Sequence, residues 1–77
     1  MKVTVLFFGV LTEVTGTGTK FYNDVRTLGD LKIKIADDYP EIVNYDFRIS
    51  LNNEIISENP ELRDGDEIAL LPPFAGG

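Results

Sequence analysis

The two most apolar stretches of this chain lie at its opposite ends. Residues 2–8 read KVTVLFF and residues 67–71 read EIALL. β-Branched, aromatic and aliphatic residues dominate both, the composition of strands buried on at least one face. Side chains alternate across a strand, so Val3, Val5 and Phe7 share one face and Thr4, Leu6 and Phe8 the other. In the second stretch Ile68 and Leu70 share a face, opposite Ala69 and Leu71. The first set in each pair reads as core. First and last strands this apolar suggest the centre of a mixed sheet, which forces the chain to bring its start and its finish together.

What lies between is one amphipathic helix and several short strands. Thr27 followed by Asp30 forms a capping-box pattern with Asp in place of the preferred Glu. From there Leu28, Leu31, Ile35 and Tyr39 recur at spacings of three and four, which predicts a helix to about Asp38. Ile33 does not belong to that face, and LKIKI alone alternates like a strand. The cap and the longer spacing favour the helix, and Pro40 ends it. Leu11–Val14 reads as one helical turn stopped by Gly16, and TGTGT, residues 15–19, reads as a turn or hairpin loop. Lys20–Val25 and Tyr45–Leu51 read as strands. Asn52-Asn53 makes a tight turn into a short return strand at Ile55 and Ile56. Further turns fall at Asn59-Pro60 and at residues 63–66, where Gly65 supplies the left-handed residue. Pro72 and Pro73 stop the last strand because they cannot donate ladder hydrogen bonds. A single amphipathic helix has one sensible place to pack, across a face of the sheet. The expected fold is α+β: a β-grasp, or ubiquitin-like, mixed sheet of about five strands with one main helix. Residues 1–71 form the domain and residues 72–77 an extended tail ending in Gly-Gly.

Composition narrows the chemistry. Seventy-seven residues make one domain. The chain has no Cys, His or Trp. There is therefore no thiolate nucleophile, no zinc–thiolate site and none of the imidazoles that most often serve as general bases or metal ligands. An enzyme acting on its own is disfavoured, and no cofactor or metal is expected on the chain. The formal charge of −6 opposes nucleic-acid binding, which depends on neutralising phosphates. It suits a protein partner with a basic docking surface. Every apolar run is too short to span a membrane. The opening MKVTVLFFGVL faintly suggests a signal peptide, but it contains Thr4 and Gly9 and lacks a small-x-small cleavage site, so a strand is the better reading. A soluble, cytoplasmic protein is expected.

Five features invite a functional reading. Gly16-Thr-Gly-Thr-Lys20 has neither the Lys-Ser/Thr of a phosphate loop nor the third Gly of a dinucleotide fingerprint, so a loop is favoured. Asp64, Asp66 and Glu67 lack the spacing of a calcium loop and read as a structural turn. Asp37-Asp38 at a helix C-terminus reads as solvated surface, or as a lure for a basic partner. Phe8, Ile55 and Leu71 fall on strand faces opposite the expected core, which would form an exposed apolar patch. The last feature is the tail itself, Pro72, Pro73, Phe74, Ala75, Gly76 and Gly77. The prolines project it stiffly. Its six residues reach at most about 20 Å. Residues without a Cβ can thread a narrow channel and present a terminal carboxylate to another protein's active site.

The segment Arg63-Asp-Gly-Asp-Glu-Ile-Ala-Leu-Leu-Pro-Pro-Phe-Ala-Gly-Gly77 closely resembles the end of the small subunits of molybdopterin synthase, a family of ubiquitin-like sulfur carriers. The opening Val5-Leu-Phe-Phe-Gly9 matches that family's first strand, and the resemblance covers the whole chain. It implies that an adenylating enzyme related to the ubiquitin-activating enzymes, using ATP, joins the Gly77 carboxylate to AMP. A thiocarboxylate then forms and gives its sulfur to a cyclic pterin precursor in the large synthase subunit, within a heterotetramer. It further implies that the sheet face beside the tail docks on both partners, which by position falls on Phe8, Ile55 and Leu71, with Phe74 on the tail. The sequence departs from the family at Leu70-Leu71, where phenylalanines are common, and at Phe74, where a smaller residue is usual. Two other readings of the residues stay open. One is a sulfur carrier for another product, such as thiamine or a modified tRNA base. The other is a β-grasp interaction module or protein modifier without sulfur chemistry.

Overall fold

The computed structural model describes residues 1–73; Phe74, Ala75, Gly76 and Gly77, and the expectations placed on them, lie outside the described residues. The elements are β1 (Lys2–Phe7), α1 (Val10–Thr15), β2 (Thr19–Asn23), α2 (Leu28–Asp38), a 3₁₀ helix (Pro40–Asn44), β3 (Arg48–Leu51), β4 (Glu54–Ile56) and β5 (Glu67–Leu71). The five strands form one sheet in the order β2-β1-β5-β3-β4. β1 runs parallel to β5, and β2, β3 and β4 pair antiparallel with their neighbours. The two apolar ends of the chain thus meet at the centre, with Val5 beside Ile68 and Phe7 beside Leu70. This is the β-grasp arrangement.

The core lies between the sheet and α2. Val3, Val5, Leu11, Leu31 and Ile68 are fully buried, joined by Phe7, Leu28, Ile35, Ile42, Ile49 and Leu70. α2 starts with both capping-box bonds made: the Asp30 amide donates to Thr27 Oγ1 and the Thr27 amide donates to the Asp30 carboxylate. Its buried residues are Leu28, Leu31 and Ile35, at helical spacing, while Ile33 is 63% exposed. The strand-like alternation of LKIKI, which would group Ile33 with Leu31 and Ile35, therefore loses to the helical spacing that buries Leu28, Leu31 and Ile35. Each fully buried leucine or isoleucine contributes about 1.5–3 kcal/mol relative to exposure.

Three boundaries differ from the sequence reading. β1 stops at Phe7, one residue short of Phe8, because Gly9 at φ 58° turns the chain out of the sheet. β2 covers residues 19–23 rather than 20–25; Asp24 takes a positive φ and sends Val25 down into the core as a loop residue. The strand expected at residues 45–51 begins only at Arg48. Pro40 does end α2, but it also opens the 3₁₀ helix, whose Ile42 is buried. Proline's fixed φ suits the first position of a helical turn, and so the chain coils over residues 40–44, to which the sequence reading assigned no element. The Asn52-Asn53 turn forms with both residues at positive φ. Its Asn52 carboxamide donates to Asp66 and accepts from the Glu67 amide, tying the hairpin to the start of β5. The Asn59-Pro60 segment serves as the seat of α2: Asn59 Oδ1 accepts from the Gly29 amide and the Pro60 carbonyl from the Leu28 amide. These satisfy two of the donors a helix start leaves unpaired.

Candidate functional site

The point where the chain leaves the sheet is fixed by two residues far apart in sequence. β5 ends at Leu71, and Pro72 and Pro73 follow outside any strand. Pro72 lies against Gly9: a Cβ added at Gly9 would stand 2.9 Å from Pro72 Cγ. Gly9 also has φ 58° and ψ −136°, a region that residues with a side chain rarely occupy. Glycine is thus required there twice, for conformation and for clearance. α1 holds this corner in place. The Leu11 amide donates to the Phe8 carbonyl, the Thr12 amide to the Gly9 carbonyl and Thr12 Oγ1 to the Phe7 carbonyl. Leu11 anchors α1 in the main core, so it does not cover the other face of the sheet.

That other face carries no helix. Strand register places Leu6, Ala69 and Ser50 side by side across it, with Ile55 next in line on β4. Leu71 sits opposite Arg48, and Phe21 opposite Thr4. Phe8 follows the last residue of β1 and is 45% exposed; Ile55 is 55% exposed and Leu71 is half-buried. The three residues singled out from sequence are therefore outside the core, on the end of the sheet and the face nearest the tail. The sequence reading placed Leu6 with Phe8 and Ala69 with Leu71 on this face, and missed Phe21. The alternation of Leu6 and Ala69 with Val3, Val5, Ile68 and Leu70 was the available signal. Charges frame this surface. Lys2 Nζ stands 4.6 Å above the Phe21 ring, a cation–π contact.

The remaining candidates resolve into structure. Asp64 accepts from the Lys2 amide, and Asp66 accepts from the Arg63 amide and from Asn52, so these carboxylates hold the turn before β5. Among the described residues no cluster of three acidic side chains is placed to hold a metal ion. Thr15 and Thr17 hydroxyls donate to carbonyls two residues on, at Thr17 and Thr19, which folds residues 16–18 as a self-bonded loop leading into β2. Asp38 is more than solvated surface: it accepts from the buried Tyr22 hydroxyl at 2.8 Å and pairs with Lys20 at 3.7 Å. Burial first, and then the bond to this carboxylate, push the Tyr22 hydroxyl well above the usual phenol range. Among the described residues, no helix is long and apolar enough to cross a membrane.

A β-grasp sheet with one face free of helices among the described residues, and Pro72-Pro73 leaving the sheet beside it, defines a ubiquitin-like domain. The chain belongs to the ThiS family, whose profile matches residues 5–77. It is 31% identical to the molybdopterin synthase sulfur carrier subunit of Chlamydomonas reinhardtii, with all of both chains covered. Among solved structures it resembles a chain in the protein–protein complex of subunits 1 and 2 of the molybdopterin-converting factor from Helicobacter pylori, at 32% identity, TM-score 0.76 and full coverage of both chains. SAMP1 from Haloferax volcanii shares the fold at TM-score 0.86 with 24% identity, again over all of both chains.

Proposed function

We propose that this chain is the sulfur carrier, and so the small subunit, of a molybdopterin synthase. The observation that carries the reading is the end-to-end match to relatives that bear that name, through the Gly-Gly pair. The open face at the foot of the tail supports it, because a carrier must dock before its end can enter another active site.

The chemistry suits a chain with neither Cys nor His. A carboxylate is a poor acyl donor because its leaving group would be oxide. An adenylating partner removes that obstacle: a Gly77 carboxylate oxygen attacks the α-phosphorus of ATP and pyrophosphate leaves. A sulfide-level sulfur then attacks the acyl carbon, and AMP departs with the original carboxylate oxygen. The product is a thiocarboxylate on Gly77. The large synthase subunit takes up the tail, and the sulfur passes to a pterin precursor that becomes the metal-holding dithiolene. ATP binding and general acid–base groups reside on the partners, so this chain is not an enzyme by itself. The pair of subunits assembles as a heterotetramer in the cytoplasm. Phe8, Ile55, Leu71 and Phe74 make the docking contacts, while Pro72, Pro73, Ala75 and Gly76 pass the carboxylate through the partner's channel.

Intact-mass measurement after incubation with an adenylating enzyme of this class, ATP and a sulfur source tests the proposal. The expected gain equals exchange of one oxygen for one sulfur and maps to Gly77. Deleting Gly77 abolishes it while leaving the fold unchanged. Attachment of Gly77 to lysine side chains with no thiocarboxylate would replace the reading with a protein modifier. A Gly77 deletion that still supports molybdenum-cofactor synthesis would remove it.

A further inference from the structure

Two adjoining cavities, each about 270 Å³, run along the helix side of the molecule toward the β4 edge. The first is floored by Ala36, Phe47 and Leu70 and walled by Ile33 and Val43, with Lys32 at its rim. The second shares Lys32 and Phe47 and continues past Arg48 and Ile56 to Ile55, at the β4 edge of the open face. Ile33 and Val43 are 63% and 70% exposed, unusually high for large aliphatic residues beside a cavity. The charge of this groove runs against the chain. The protein has 13 acidic and 7 basic residues, yet the only charged residues lining either cavity are Lys32 and Arg48. Neither makes an ion pair among the described residues, where the sole pair is Lys20–Asp38. The groove also ends at β4, an outer strand of the sheet.

We propose that this groove is a second docking surface, and that its occupant is an extended acidic segment of another protein carrying a bulky apolar side chain next to carboxylates. The apolar side chain fills the cavity between Ile33, Val43 and Phe47. The carboxylates then meet Lys32 and Arg48, two cations with no competing acid in the lining. A basic segment finds no carboxylate in the groove. β4 offers its free edge to the main chain of such a segment, as in strand addition. The first cavity, which takes the apolar side chain, lies on the helix side of the sheet, opposite the face assigned to the synthase partner; only the second, at Arg48 and Ile55, reaches the β4 edge of that face.

Amide-resolved NMR titration of the full chain tests this with two synthetic peptides, one with a leucine flanked by glutamates and one with the same leucine flanked by lysines. The glutamate peptide shifts Ile33, Ala36, Val43 and Phe47, and the lysine peptide does not. Lys32→Glu weakens the glutamate peptide about fivefold, the size of one exposed ion pair near 1 kcal/mol. Val43→Asp removes binding with the melting temperature unchanged, since the side chain is exposed. Equal binding of both peptides overturns the proposal. So does absence of shifts up to millimolar glutamate peptide, or shifts centred on Leu6 and Phe8.

Discussion

Gly9 and Pro72 touch across 63 residues of sequence, closely enough that the space between them excludes a methyl group. Gly9→Ala therefore meets both a steric clash and a forbidden backbone conformation. The expected loss is about 1–3 kcal/mol of stability, measured by urea unfolding. Pro72→Ala in the same chain recovers only the clash, because the positive φ remains. Full recovery would show that the conformation costs nothing.

Tyr22 donates to Asp38 from a buried ring. Its hydroxyl ionises at higher pH in the folded chain than in the unfolded one. The unfolded state therefore loses the proton first as pH rises. Stability from this group is complete below the ordinary phenol value of about 10 and falls as pH climbs from there toward the folded-state value. Tyr22→Phe lowers stability at neutral pH by about 1 kcal/mol through the lost hydrogen bond. It also flattens the alkaline decline. Urea midpoints at neutral and alkaline pH check both effects, and an unchanged alkaline slope would exclude the linkage.

Thr27 caps α2 through a bond that its hydroxyl alone can accept. Thr27→Ala is expected to cost about 1 kcal/mol. Thr27→Ser should retain most of it, and the comparison of melting temperatures separates capping from packing.

Phe8 is exposed beside the tail exit. Phe8→Asp leaves the melting temperature near that of the parent chain and weakens binding to the large synthase subunit by about 2 kcal/mol or more, the scale of an interfacial aromatic anchor. Calorimetric titration measures the affinity. Unfolding of the variant would place Phe8 in the core after all.

The sheet was legible because its patterns were strong where they mattered. Val3, Val5, Phe7, Ile68 and Leu70 alternate cleanly, and all are buried. The capping box fixed the start of α2 to the residue. The 3₁₀ helix was not legible, because Ile42 and Val43 followed by Tyr45 carry the same apolar signal in a coil as in a strand. Gly9's contact with Pro72 was equally hidden: sequence shows that a glycine is present but not what approaches it. The open face was half legible. Parity exposed Phe8, Ile55 and Leu71, but Phe21 joined them only through the β1–β2 register. The groove at Lys32 and Arg48 depends on three segments meeting, which no local pattern encodes.

β5 occupies the middle of the sheet although it is the last strand in the chain. Until residues 67–71 arrive, β1 and β3 have nothing between them and the hairpin β3–β4 has no attachment to β1. Residues 67–71 must therefore have been synthesised before the globule can close, and that closing insertion is what brings Pro72 against Gly9. Closing of the domain and formation of the Gly9–Pro72 corner are one event, so a half-folded copy lacks that corner.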